Sequence, residues 1–130
     1  MVEQEEEDHL TTIFKKQKAF DETVQQDLNK LDLDQKISNK CKAIIHEAVE
    51  LDRLTNWKWW KDKQYFDIDE ATAELIDIMF FVVSTAIDLG MSPQDFFDMY
   101  NTKYDINVFR QNKRHELQSL SKIRGDRFQE

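Results

Sequence analysis

Four acidic side chains, arranged as two pairs, carry the clearest chemistry in this sequence. Glu47-Ala48-Val49-Glu50 and Glu74-Leu75-Ile76-Asp77 each space two carboxylates at i, i+3, which puts both acids of a pair on one helix face. If two such helices run antiparallel, four carboxylates converge between them. Acids crowded in a partly buried place must be protonated, paired with cations or bound to a metal, because repulsion and desolvation both oppose ionisation. An all-oxygen ligand set favours Mg2+, with Mn2+ as the alternative, and Mg2+ typically shares its shell with waters and substrate phosphates. The competing reading is two solvated acid pairs with salt-bridge partners.

Three further groups suit a phosphorylated ligand. The stretch Asn56-Trp57-Lys58-Trp59-Trp60-Lys61 gathers all three tryptophans of the chain among positive charges; the alternative is a set of core or interface aromatics. Lys103, Asn107 and Arg110 follow at i, i+4, i+7, so an amide and two cations line one helix face, suited to phosphate and sugar contacts or else to solvent. Gln17 lies on or beside the apolar stripe of Ile13, Phe14 and Phe20, close to Asp21, and its buried amide needs a partner. His46 lies off the face of the acids and His9 and His115 sit in polar flanks, so no histidine is assigned a role.

The elements that must position these groups are helical. Only two glycines and one proline interrupt the 130 residues, and those residues punctuate turn-rich β folds and phosphate-cradling loops. Apolar spacing predicts a first helix from Asp8 to about Leu31. A second runs from about Leu33 to Leu54 with Ile37, Cys41, Ile44, Ala48 and Leu51 facing the core. Thr55 to Ile68 reads as an ordered loop. A third helix starts near Asp69, which could cap it, and runs to Leu89, where Gly90 supplies a stop. Ser92, Pro93 and Asp95 signal a fourth helix, which carries Phe96, Phe97, Tyr100, Tyr104 and Val108. It either extends or breaks before a polar helical segment ending near Gly125.

Length fits one domain over 1–130, with an acidic, frayed run at 1–8 and a polar helical tail at 112–130. The formal charge of -8 disfavours gripping a nucleic acid polymer through its phosphates, yet allows a nucleotide if cations intervene. Leu75 to Leu89 contains two aspartates and is short for a bilayer span, so it reads as a core helix and no membrane partner is expected. The lone Cys41 excludes an internal disulfide framework, and a reducing cytoplasm is the default. The third helix is apolar on every side, more than three small helices cover, so a homodimer is the minimum assembly.

The order of these pieces resembles the all-α nucleoside triphosphate pyrophosphohydrolases, the group of dimeric dUTPases and MazG-like enzymes, over roughly residues 10 to 111. The closest branch is the dimeric dUTPases. Ile13-Phe14-Lys15-Lys16-Gln17 with Asp21, the Trp57-Lys58-Trp59-Trp60-Lys61 loop, and Lys103, Asn107, Arg110 and Gln111 match its pattern. The Gly-Tyr often expected soon after Arg-Gln is replaced by Asn112-Lys113-Arg114-His115. The resemblance implies a four- to five-helix bundle, intertwined or tightly packed as a homodimer, that hydrolyses dUTP to dUMP and pyrophosphate. It assigns Glu47, Glu50, Glu74 and Asp77 as magnesium ligands, with Glu50 positioning and deprotonating the attacking water. Gln17 would read the uracil edge, Trp57 and Trp60 would pack on base or sugar, and Asn107 would bond the nucleoside. Lys58, Lys61, Lys103 and Arg110 are its phosphate candidates. The rivals are a broader or dCTP-preferring MazG-like enzyme and a non-catalytic helical protein that docks through the tryptophans.

Overall fold

The structure is a computed structural model that describes residues 5–24 and 30–127. The described residues form four helices and no strand: α1 (His9–Val24), α2 (Leu33–Arg53), α3 (Ile68–Asp88) and α4 (Pro93–Arg127). The all-α expectation holds. The chain divides into two compact units, one through Pro93 and the other from Gln94 onward.

Helix ends in the first unit follow local chemistry. The Asp8 carboxylate, the last of the acidic run, accepts from the Thr11 amide at 2.7 Å and from the Thr11 hydroxyl at 2.9 Å, capping α1. Donation from the Thr11 amide, more than any other influence, holds the Asp8 carboxyl below its usual value. Glu7 extends the same start through an ion pair with Lys15. Residues 1–4 lie outside the described residues, as does Leu28 of the expected first stripe, and Leu31 sits in a bend before α2. The cap of α3 is Asp67, not Asp69: its carboxylate reaches the Glu70 amide at 3.1 Å, leaving Asp69 in the first turn, where a negative charge suits the helix dipole. At the other end Gly90 adopts φ 79°. The Gly90 amide bonds the Ile87 carbonyl and the Met91 amide the Ala86 carbonyl, the paired closure that a left-handed residue permits and that glycine reaches without strain.

Helices α2 and α3 run antiparallel. Lys40, early in α2, meets Asp88 at the end of α3, while Glu47, a turn and more along, comes beside Glu74 and Asp77. The expected core face of α2 is kept in part, with Ile37, Ile44 and Leu51 half-buried. Cys41 and Ala48 are exposed, and Lys40 is buried instead, its ammonium held by Asp88 and by the Ser84 carbonyl. Helix α1 also packs on α3. Among the described residues only Phe14, Val83 and Ala86 are buried apolar side chains, and the outer face of α3 stays open, with Leu75, Ile76, Met79 and Phe80 each about half exposed.

The described residues of the second unit all belong to helix α4, which is 35 residues long and continuous through Gly125, and this settles the open choice between an extended and a broken helix. Its residues from Phe97 to Gly125 are exposed. No single helix among the described residues is long and apolar enough to cross a membrane.

Candidate active site

The antiparallel register of α2 and α3 sets the acids. Oxygen atoms of Glu47, Glu74 and Asp77 lie within 4.8 Å of one another. Glu47 and Glu74 are half-buried and Asp77 is exposed, so the cluster opens to solvent on one side. Desolvation, followed by repulsion from Asp77 and Glu47, a hydrogen bond with Glu47 and repulsion from Glu50, raises the Glu74 carboxyl above its ordinary value of 4.5. That is what crowded acids do without a cation between them, and an all-carboxylate set at this spacing fits a hard divalent ion.

Glu50, one turn beyond Glu47, is outside the tight triad. Its carboxylate accepts from Arg53 at 3.4 Å, though it is close enough to act on Glu74. Arg53 is a residue that sequence reasoning missed; its signal is the i, i+3 spacing from Glu50. It also lines a hollow of about 100 Å3 with Asn56, Trp57, Lys58 and Lys61. The loop around that hollow is pinned by Asn56, whose amide imitates backbone: Nδ2 donates to the Gln64 carbonyl at 3.0 Å and Oδ1 accepts from the Gln64 amide at 2.7 Å. Within it Trp60 sits edge-on to Trp57 and Trp59, at 5.8 and 5.6 Å between ring centres, and the Lys58 ammonium lies 5.4 Å from the Trp57 ring. Trp59 projects into solvent, whereas Trp57 and Trp60 keep half their surface covered.

Gln17 is buried and has the partner its position demanded. Its Nε2 donates to Asp21 at 2.9 Å, and the other Asp21 oxygen accepts from the Ser84 hydroxyl at 2.7 Å. Asp77, Phe81 and Ser84 follow at i, i+4, i+7 on α3, so the acid cluster and this amide network share one side of the helix, roughly 10 Å apart at 1.5 Å per residue.

A family model described as dUTPase matches residues 9–96. The chain belongs to the dUTPase family. The dUTPase match takes in the Gln17 network, both acid pairs and the tryptophan loop. It ends before Lys103, Asn107 and Arg110, which share a face of α4; there Asn107 borders a groove with Tyr100, Tyr104 and Gln111. Among curated proteins and among solved structures nothing matches the chain.

The raised Glu74 carboxyl makes the stability of this dUTPase-family chain depend on pH. Because its folded value lies above the unfolded one, the folded metal-free chain holds more protons, and stability falls as pH rises from about 4.5 through the folded value. A divalent cation competes for the same oxygens, so its binding releases protons and weakens as pH falls through that window. Unfolding temperatures measured against pH with EDTA and with magnesium are expected to diverge as pH rises. Parallel curves would count against an ion at Glu74.

Proposed function

We propose that the protein hydrolyses dUTP to dUMP and pyrophosphate, by attack of water on the α-phosphate, at a magnesium site formed by Glu47, Glu50, Glu74 and Asp77. The observation that carries this is the convergence of Glu47, Glu74 and Asp77 within 4.8 Å, from two antiparallel helices, in a dUTPase-family chain. Manganese suits the same oxygens. When bound, the ion supplies charge neutralisation along the triphosphate and makes water easier to deprotonate.

The chain's own groups divide the remaining work. Glu50 takes the proton of the attacking water; its carboxylate is the one not drawn into the tight triad, and no covalent intermediate is needed. Lys58 and Lys61 from the tryptophan loop stabilise charge that spreads onto the pyrophosphate as it leaves; Lys103 and Arg110 are further phosphate candidates. Trp57 and Trp60, each with an open face, pack on base or sugar, and Asn107 bonds the nucleoside. Gln17 reads the uracil edge.

The working unit is a homodimer. Half-exposed Leu75, Ile76, Met79 and Phe80 on α3, and separately the exposed Phe97, Tyr100, Tyr104 and Phe109 of α4, leave more apolar surface open than the three buried apolar side chains among the described residues can anchor in one copy. The free thiol of Cys41 is exposed and suits the reducing cytoplasm.

The test is a substrate panel with product identification. With magnesium, kcat/KM for dUTP is expected to exceed that for dCTP, dTTP and UTP by about a hundredfold, and the products are dUMP and pyrophosphate. Equal rates across the panel would make the enzyme a broader nucleotide pyrophosphohydrolase. No hydrolysis, with no magnesium-dependent heat on nucleotide titration, would leave a binding protein.

A further inference from the structure

We propose that Asp21, braced by Ser84, is a positioning residue that locks the Gln17 carboxamide in the one orientation able to pair with uracil and not with cytosine; this rests on the dUTP reading above.

A glutamine amide can turn over about its last bond, exchanging a carbonyl oxygen for an NH2 group of nearly the same shape. The two orientations offer opposite patterns to a ligand. In this chain the choice is made by Asp21. A carboxylate only accepts, so the group facing it at 2.9 Å must be the Gln17 NH2. Turning the amide over would set carbonyl oxygen against carboxylate oxygen at hydrogen-bond distance. Gln17 is only 5% exposed, so water cannot easily relieve that repulsion.

Asp21 is itself held. Its second oxygen accepts from the Ser84 hydroxyl at 2.7 Å, Ser84 is buried, and the Ser84 carbonyl takes a hydrogen bond from Lys40 at 3.5 Å. All three helices of the first unit thus contribute to fixing one amide.

With one N–H of Gln17 committed to Asp21, the edge that remains is a carbonyl oxygen beside the second N–H. Uracil offers the complement, an N3–H donor next to the O4 acceptor. Cytosine reverses both positions, with an N3 acceptor next to an amino donor, and so meets acceptor with acceptor and donor with donor. The specificity lies in the partner behind Gln17 as much as in Gln17.

Asp21→Asn is the direct test. Asparagine has almost the same shape but can present either its oxygen or its NH2 to Gln17, and the Ser84 hydroxyl can accept as readily as donate, so both amide orientations become available. The ratio of kcat/KM for dUTP over dCTP is expected to fall by about tenfold, mainly through KM, with circular dichroism unchanged. Ser84→Ala removes one brace and is expected to lower the ratio by about threefold; it decides the matter if Asp21→Asn fails to fold. A loss that falls equally on the two substrates in both variants means that Asp21 only supports the fold, and overturns this proposal alone. Absence of any dUTP preference in the unaltered protein overturns it together with the dUTP reading.

Discussion

Replacing Glu50 by glutamine is expected to lower turnover by about a thousandfold, in the range that a positioned general base contributes, while nucleotide still binds in the presence of magnesium. The geometry explains why the two effects separate. Glu47, Glu74 and Asp77 already lie within 4.8 Å of one another, so three carboxylates stay in place for the ion. Glu50 accepts from Arg53 at 3.4 Å, and a glutamine carbonyl can accept from the same guanidinium. The substitution therefore keeps size and hydrogen bonding and removes only basicity and charge. Glu74→Gln is the contrast: it replaces a carboxylate at the centre of the cluster by a neutral amide, so it should weaken magnesium binding itself. Pyrophosphate release and calorimetry with a non-hydrolysable dUTP analogue read the two properties separately. Turnover like that of the unaltered protein in Glu50→Gln would remove Glu50 from the chemistry.

How far the sequence carried these conclusions depended on whether a feature was local or tertiary. The extents of α2 and α3, the Gly90 stop and the acid pairs arise from spacing and from backbone preferences within a few residues, and they were legible; the expected run of the first helix to Leu31 was not met, because Leu31 lies in a bend. The face that α2 turns inward was legible only in part: Ile37, Ile44 and Leu51 are half-buried, but Cys41 and Ala48 are exposed. Periodicity put Cys41 and Ala48 in the core because both look apolar, but the ion pair of Lys40 with Asp88, 48 residues away, rotates a charged side chain inward. The α3 cap was misplaced by two residues for a related reason, since Asp67 and Asp69 are both plausible caps and only the backbone direction at Asp67 lets its carboxylate reach Glu70. At the site, spacing put Glu47 with Glu50 and Glu74 with Asp77 on single helix faces, but that Glu47 and not Glu50 lies tightest against Glu74 and Asp77 depends on how α2 packs on α3. The role of Asn56 could not be read, because it depends on where the loop after α2 returns to Gln64, whereas Arg53 had a local signal in its i, i+3 spacing from Glu50. Gln17 was suspect as a buried amide; that Ser84 completes its network required α1 and α3 to be seen packed together.

The same packing leads to the largest expected change in stability. Lys40→Ala should destabilise the fold by about 3 kcal/mol, because it strips the partner from a carboxylate, Asp88, whose side chain is 11% exposed, and an uncompensated buried charge costs far more than a lost surface ion pair. It also removes the donor to the Ser84 carbonyl. The loss measures the orphaned Asp88, not the worth of the pair. Accordingly, the double substitution Lys40→Met with Asp88→Leu, which removes both charges and fills the space with apolar groups, should recover most of the deficit. Urea unfolding at one fixed protein concentration compares the three chains without a contribution from changing association. If Lys40→Ala alone is as stable as the unaltered protein, the pair is solvated and does not set the rotation of α2. If the double variant is as weak as the single one, the ion pair supplies net stability. Recovery in the double variant with dUTP hydrolysis retained would show that the pair selects which face of α2 turns inward, and with it the position of Glu47, only as one of several ways to fill that space.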